Sequence, residues 1–169
     1  MPLVLFTDDS GHDWLSAARR LPAGGAVIIR SRDASQRATL LDTLSSLPLK
    51  LLVAGDANLA QGADGLHLPE HRAGEAAHWR ARHPDWIITA SAHSLRALMM
   101  LSQVDAAFLS PVFPTASHPG AAALTPLRAA FIAAASPVPV YALGGVTARN
   151  ARRLPPSFAG IAAITALIK

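Results

Sequence analysis

Asp105-Ala-Ala-Phe-Leu-Ser-Pro-Val-Phe-Pro-Thr-Ala-Ser-His-Pro-Gly120 begins as a short apolar run and then becomes a rigid, polar loop. The run from residue 106 to 109 is typical of a buried β-strand, and Pro111 and Pro114 end the strand and stiffen the chain beyond it. Parallel α/β proteins hold ligands with groups placed directly after a strand, here Thr115, Ser117 and His118. The same pattern also fits an ordinary proline-rich surface loop.

A second segment, Pro137-Val-Pro-Val-Tyr-Ala-Leu-Gly-Gly-Val-Thr-Ala-Arg-Asn150, predicts a strand, a glycine pair and the start of a helix. Thr147 is a favourable N-cap residue for that helix. The backbone amides of Gly144 and Gly145, followed by the first N–H groups of a helix, suit a phosphate group. The alternative is that the glycines serve only as caps.

Apolar runs and helical patterns alternate about eight times along the chain, which predicts a parallel sheet with helical crossovers. The predicted strands cover residues 2–7, 25–30, 49–54, 65–68, 86–89, 105–109, 138–143 and 160–164. We therefore expect one domain, residues 1–169, that folds as a compact (β/α)8 TIM barrel. Because the chain is short for that fold, its helices must be shortened, chiefly after the third strand and at the C-terminus. The alternative is an open barrel that a partner completes.

Composition narrows the class of protein. The chain has 169 residues, a net charge of +4 and no cysteine, so it contains neither a disulfide nor a thiolate metal site. No apolar run reaches the roughly 18 residues of a membrane span. The basic residues are scattered and not interleaved with aromatic ones, which argues against nucleic-acid binding. We expect a cytoplasmic protein without a membrane or nucleic-acid partner.

Four motifs together resemble the thiamine-phosphate synthase family and its relatives, the TenI-type thiazole tautomerases. They are Gly62-Ala-Asp-Gly-Leu-His-Leu68, Ser91-Ala-His-Ser94, Ser110-Pro-Val-Phe-Pro-Thr115 and Leu143-Gly-Gly-Val-Thr-Ala-Arg-Asn150, and they occur in the family's order. The resemblance implies a (β/α)8 barrel that acts in thiamine biosynthesis on a phosphorylated thiazole or pyrimidine. It is more specific for the family than for the activity.

The carboxyl ends of the predicted strands, together with the resemblance, give a set of candidate site residues. The candidates for binding substrate or phosphate are Arg30, Arg32, Ser91, Thr115, Ser117, His118, Gly144, Gly145, Ile164 and Thr165. The candidate catalytic residues are Arg30 and His93. His93 is either an acid–base group or a structural imidazole bonded to a backbone carbonyl. Arg30 and Arg32 bind phosphate or are simply a solvated pair.

The resemblance implies Mg²⁺ as cofactor, and Asp56 lies close to the position of one family ligand. Arg72 stands where the family has a second carboxylate, and a guanidinium cannot ligate a hard cation. Glu70 is nearby at a different offset. His67 and His71 have a metal-like spacing, but Pro69 between them breaks the helix that this spacing needs.

Three functions fit these residues. The first is a synthase that joins hydroxymethylpyrimidine diphosphate to thiazole phosphate. The second is a thiazole-phosphate isomerase, although Pro111 stands where the tautomerases have a catalytic histidine. The third is a phosphate-ligand binder without catalysis. A homodimer is expected because short helices leave apolar barrel surface uncovered.

Overall fold

The computed structural model describes residues 2–115 and 123–164, and within them eight parallel strands form one closed barrel in chain order. The strands are β1 (Leu3–Phe6), β2 (Ala26–Ile29), β3 (Lys50–Ala54), β4 (Gly65–Leu68), β5 (Ile87–Ala92), β6 (Ala106–Leu109), β7 (Val140–Ala142) and β8 (Gly160–Ala163). The predicted (β/α)8 TIM barrel is therefore confirmed.

Closure of the barrel depends on pairing between the first and last strands. Leu3 is in register with Ile161 and Leu5 with Ala163, so β8 lies against β1. On its other edge β1 pairs with β2, where Val4 is in register with Ala26. The open-barrel alternative is therefore wrong, because no strand of this sheet is left with a free edge.

The helices that connect the strands are short, as expected. The described α-helices are α1 (Trp14–Ala18), α2 (Ala34–Leu44), α3 (Ala76–Arg82), α4 (Leu95–Met99), α5 (Pro126–Ala134) and α6 (Ala148–Ala151). After β3 there is only a 3-10 turn, Leu59–Gly62, which confirms the predicted trimming at that place. The C-terminal trimming concerns residues 165–169, which lie outside the described part of the chain.

Side-chain caps explain where several of these short helices begin. Asp13, Asp33 and Ser94 each accept a hydrogen bond from a backbone N–H in the first turn of α1, α2 and α4. Thr147 caps α6 as predicted. The segment after β4 begins as a 3-10 helix, Glu70–Glu75, and continues into α3.

Alternate strand residues face opposite sides, which produces two apolar layers. The larger layer lies between the strands and the helices and includes Leu66 and Leu68 of β4. The smaller layer fills the barrel and consists of Val4, Phe6, Ile28, Leu52, Phe108 and Ala162. Phe6 and Phe108 meet edge to face there, with ring centroids 4.9 Å apart. The barrel is thus a packed core, and its ligand-accessible face is an end of the strands.

Shortened helices leave some apolar side chains uncovered. Met99 and Met100 at the end of α4, and Leu127 and Phe131 on α5, are more than half exposed. Within the described residues, no helix combines the length and the apolar character that a membrane span requires.

Candidate active site at the carboxyl end of the barrel

The glycine pair after β7 is packed directly against the loop after β6. Both residues have positive φ, +86° for Gly144 and +64° for Gly145, a region that favours glycine. A Cβ on Gly144 would lie 2.8 Å from the Cα of Pro111, and one on Gly145 would lie 2.3 Å from the carbonyl oxygen of Pro114. The two sequence motifs that first suggested a site are therefore neighbours in space.

Hydrogen bonds hold this contact in place. The N–H groups of Val112 and Phe113 donate to the carbonyl oxygens of Leu143 and Gly144, both at 3.0 Å. Among the described residues, the N–H groups of Gly144 and Gly145 donate to no protein acceptor. Two main-chain donors at the carboxyl end of β7 are thus left without an acceptor by residues 2–115 and 123–164.

The turn after the glycine pair is closed by a capping box. Asn150 accepts a hydrogen bond from the N–H of Thr147 at 2.7 Å, and its own N–H donates to the Thr147 hydroxyl at 3.2 Å. The Asn150 side-chain amide also donates to the carbonyl oxygen of Gly145 at 2.8 Å. Asn150 therefore fixes both the helix start and the glycine pair.

A histidine lies inside the barrel, below the carboxyl ends of the strands, which together form the rim of the barrel. His67 is 3% exposed and its ring meets Phe6 and Phe108 edge to face. Its Nδ1 lies 2.9 Å from Thr89 Oγ1, and its Nε2 lies 2.9 Å from Ser91 Oγ. Burial, helped by the positive charge of Arg30, lowers the pKa of His67 from 6.5 to about 3. The imidazole is neutral, and it orients the hydroxyl of Ser91, a predicted substrate-binding residue.

His93 lies at the exposed end of β5 and bridges neighbouring rim segments. Its Nδ1 lies 2.8 Å from the carbonyl oxygen of Ser110, so Nδ1 carries a proton and donates. Its backbone N–H donates to a Glu70 carboxylate oxygen at 2.6 Å. The structure thus contains the hydrogen bond to a backbone carbonyl that is expected if His93 is a structural imidazole. The same bond fixes the tautomer and leaves Nε2 as an acceptor in the neutral ring.

Arg30 and Arg32 follow β2, and both are exposed. Their backbones are fixed: the Arg30 N–H donates to Thr7 Oγ1 at 2.9 Å, and the Arg32 N–H donates to Asp9 Oδ1 at 3.1 Å. A hydrogen bond from Ser31, then that from the Arg32 N–H, lowers the pKa of Asp9. The positive charge of Arg30 adds to the effect of burial in lowering the pKa of His67. An exposed guanidinium can hold a phosphate with two parallel hydrogen bonds.

Asp56, the predicted metal ligand, is bound to protein groups. Its Oδ2 lies 3.0 Å from Nη2 of Arg37, and its Oδ1 accepts from the Leu59 N–H at 3.1 Å. These contacts lower the pKa of Asp56, that with Leu59 most. Arg37 also donates from Nη1 to the carbonyl oxygen of Ser31 at 2.6 Å. The carboxylate is therefore ionised but already neutralised by a guanidinium.

Arg72 occupies the neighbouring position after β4. Its Nη1 donates to the carbonyl oxygen of Gly55 at 2.7 Å, while Nε and Nη2 donate to the two oxygens of Glu75 at 2.7 and 2.8 Å. This bidentate pair, with a further bond from Trp79 Nε1, lowers the pKa of Glu75 to about 2. Positive charge thus lies where the resemblance implies a second Mg²⁺ ligand.

The described residues do not fit a Mg²⁺ site. Within residues 2–115 and 123–164, no three His, Asp or Glu side chains lie together as a metal-binding group. This includes His67 and His71, whose spacing suggested a metal site, because His67 is buried against Thr89 and Ser91. Mg²⁺ needs several hard oxygen ligands, and the oxygens after β3 face two guanidinium groups.

The remaining candidates divide into two groups. Thr115 is described, is half-buried and lies in the connection between β6 and α5. Ile164 follows β8 and packs against both apolar layers. Ser117, His118 and Thr165 lie outside the described residues, so their roles remain predictions.

Several polar residues of this rim were not predicted as site residues from the sequence. Arg37 lies within α2 and reaches Asp56, while Thr7 and Asp9 support the backbone of Arg30 and Arg32. Thr7 and Asp9 had a usable signal, since Thr7 is the last residue of the first predicted strand and Asp9 lies two positions beyond it. Arg37 had none, because a polar residue in a helix is ordinarily solvated.

Comparison with known proteins agrees with this geometry. The family model described as thiamine monophosphate synthase matches residues 3–167. A thiamine-phosphate synthase of Methanoculleus marisnigri is 32% identical over 98% of this chain and 87% of that protein. A curated relative from Aquifex aeolicus is 39% identical over 94 residues, so the chain spans half the length of that protein.

Solved structures show the same relationship. The thiamine phosphate pyrophosphorylase from Pyrococcus furiosus superposes with a TM-score of 0.78 at 25% identity, over 97% of this chain and 85% of that one. The N-(5'-phosphoribosyl)anthranilate isomerase from the same organism superposes with a TM-score of 0.64 at 11% identity, over 100% of this chain and 90% of that one. The latter likeness shows the barrel fold alone. From the family match over nearly its whole length, the chain belongs to the thiamine monophosphate synthase family.

Proposed function

We propose that the chain is a transferase of thiamine biosynthesis that joins hydroxymethylpyrimidine diphosphate to a thiazole phosphate at the carboxyl end of its barrel. The observation that carries the proposal is the family match across residues 3–167. The rim adds exposed guanidinium groups, unused main-chain donors at Gly144 and Gly145, and an oriented hydroxyl on Ser91. Each of these groups suits a phosphorylated ligand.

The proposed reaction breaks the bond between the pyrimidine methylene carbon and the diphosphate oxygen. The bonding electrons leave with the diphosphate, and the thiazole nitrogen then forms a carbon–nitrogen bond with the methylene cation. Negative charge grows on the departing diphosphate, so groups that bind it more tightly than the substrate accelerate the step. Arg30 and Arg32 take this role, because both are exposed and neither side chain forms a salt bridge among the described residues.

The thiazole phosphate needs a second anion site. We assign it to the backbone of Gly144 and Gly145, together with Ile164 and the predicted contributions of Ser117, His118 and Thr165. The assignment is supported by two N–H groups after β7 that donate to no acceptor in the described part of the chain, and by the position of β8 beside β7 in the barrel. Phosphate sites formed after strands seven and eight are common in this fold.

A phosphate-ligand binder without catalysis is the second candidate, and one observation favours it. Arg72 and Arg37 neutralise the carboxylates after β3 and β4, where the resemblance implies a metal that assists the synthase reaction. The isomerase alternative has less support, because Pro111 offers no proton and His93 already donates its Nδ1 proton to Ser110.

Release of inorganic pyrophosphate in the presence of both substrates tests the proposal. The assay is run with Mg²⁺ and, separately, with EDTA, and the coupled product is identified by mass. Product in either buffer supports the synthase. Binding of thiazole phosphate by calorimetry, with no product in either buffer, contradicts the synthase and supports the binder.

We propose in addition that the chain forms a homodimer and is cytoplasmic. The exposed apolar side chains of Met100, Leu127 and Phe131 support the homodimer, since such side chains are usually covered by another protein surface. A cytoplasmic location agrees with substrates that carry phosphate and do not cross membranes freely. Light scattering after size exclusion tests the first point, and cell fractionation tests the second.

A further inference from the structure

We infer that the two arginines Arg37 and Arg72 take the place of a divalent cation at the carboxyl ends of β3 and β4, so that this corner of the barrel holds no bound metal. The inference rests on the proposed function only in saying which site the metal would serve. It concerns four charged side chains that form two pairs, Arg37 with Asp56 and Arg72 with Glu75.

The first pair leaves Asp56 little capacity to bind a metal. One carboxylate oxygen accepts from Arg37 Nη2 at 3.0 Å and the other from the Leu59 N–H at 3.1 Å. The side chains are mostly buried, with 14% of Arg37 and 26% of Asp56 exposed. A cation at Asp56 must displace a guanidinium from a partly desolvated pair, which leaves that guanidinium buried and unpaired.

The second pair occupies further oxygen atoms of this corner of the barrel, where β3 and β4 end. Arg72 donates from Nη1 to the Gly55 carbonyl, the residue directly before Asp56, at 2.7 Å. The positive charge of Arg72 also interacts electrostatically with Asp56. Glu75 is held by both Arg72 and Trp79, so it is not free to turn toward a cation.

The arginines also connect the segments that a shared metal would connect. Arg37 joins the Ser31 carbonyl after β2 to Asp56 after β3. Arg72 joins the Gly55 carbonyl after β3 to the 3-10 helix after β4. Metal ions commonly link loops in this way. Here guanidinium groups do so, and they are permanently charged whatever the concentration of the metal.

Electron paramagnetic resonance of Mn²⁺, which has ligand preferences close to those of Mg²⁺, tests the inference without any assay of activity. The full chain is titrated with Mn²⁺, alone and with inorganic pyrophosphate. We expect the protein to cause no loss of the free Mn²⁺ signal relative to protein-free solutions of the same composition. A stoichiometric loss of that signal caused by the protein, in either condition, overturns the inference.

Two variants test whether the arginines are what excludes the ion. Arg72→Asp supplies a carboxylate beside Asp56 and removes a positive charge, and we expect Mn²⁺ affinity to rise at least about tenfold. Adding Arg37→Gln to it releases Asp56 and raises the affinity further. Arg82→Asp, an exposed residue of α3, makes the same change of charge away from the corner and leaves Mn²⁺ binding as in wild type.

The outcomes separate this inference from the proposed function. Folded Arg72→Asp and double variants that bind Mn²⁺ no better than wild type overturn the role assigned to the arginines. If the variants do not fold, the titration of the wild-type chain still decides whether the site holds a metal. Absence of synthase turnover with no Mn²⁺ bound contradicts the proposed function and leaves this inference standing.

Discussion

His67 Nε2 on β4 lies 2.9 Å from Ser91 Oγ on the adjacent strand β5, inside the barrel and just below its ligand-facing rim. The opposite ring nitrogen is 2.9 Å from Thr89 Oγ1, so a neutral imidazole links two hydroxyls of β5. One hydroxyl donates to the ring and the other accepts from it. This relationship carries the first prediction.

Acidification should destabilise the protein through His67. Its pKa is lowered from 6.5 to about 3, chiefly by burial, so between these values the unfolded chain binds a proton that the folded chain does not. Above pH 6.5 the His67 ring is mostly neutral in both the folded and the unfolded chain, so this loss of stability is absent. Below that value the free energy of unfolding falls, by up to about 1.4 kcal/mol per pH unit. Urea denaturation at a series of pH values measures the slope.

The control for that slope is a second histidine. His67→Gln should reduce the slope just below pH 6.5, whereas His12→Gln, at an exposed position, should leave it unchanged. Equal slopes for His67→Gln and the wild type would show that His67 titrates normally in the folded state.

Gly145→Ala should destabilise the fold. The added Cβ would lie 2.3 Å from the Pro114 carbonyl oxygen at a φ of +64°, and the backbone conformation alone costs about 1–2 kcal/mol. We expect a clear drop in melting temperature, with Gly74→Ala as control, since a Cβ there meets nothing within 4 Å. Loss of ligand binding in Gly145→Ala would therefore not identify a phosphate site unless folding is measured too.

Arg30→Ala should weaken binding of inorganic pyrophosphate without weakening the fold. The exposed side chain makes no hydrogen bond within the described residues, while its backbone bonds to Thr7 persist in the variant. Loss of hydrogen bonds to a charged ligand costs about 1.5–3 kcal/mol, or about 10- to 150-fold in affinity. Calorimetry measures the affinity, and Arg82→Ala is the matched control. An unchanged affinity would place the pyrophosphate site elsewhere.

Asn150→Ala should cost more stability than Thr147→Ala. Loss of the Thr147 cap removes one side of the capping box and costs about 1 kcal/mol. Loss of Asn150 removes the other side and also the bond to the Gly145 carbonyl. Chemical denaturation of the two variants decides the order. If Thr147→Ala is the more damaging, the bond to Gly145 contributes nothing to stability.

Strand positions were predictable because buried runs are short and end at Pro or Gly, as Leu109 does before Ser110-Pro111. The fifth strand was the exception. It was predicted to end at Thr89 but continues through Ser91 to Ala92. The serine resembles a loop residue in sequence, yet its partner is His67 inside the barrel. A polar residue can therefore belong to a strand when another strand supplies its hydrogen bond.

Helix ends were less predictable, and the ion pairs of the site were not predictable at all. Helix α4 ends at Met99, and Gln103 beyond it has a φ of +59°. Arg37 and Asp56 are 19 positions apart and meet only because β2 and β3 are neighbours in the barrel. The sequence showed that Arg72 replaces a carboxylate, but its contacts with Gly55 and Glu75 required the three-dimensional arrangement.

Pairing of β1 with β8 has a consequence for biosynthesis. A ribosome makes Leu3–Phe6 long before Gly160–Ala163, so the first strand waits for its second neighbour while all the strands between them are made. Throughout that interval the nascent chain presents a bare, apolar strand edge that another nascent chain can join. Crowded polysomes should therefore yield more aggregate of this protein than dilute ones do.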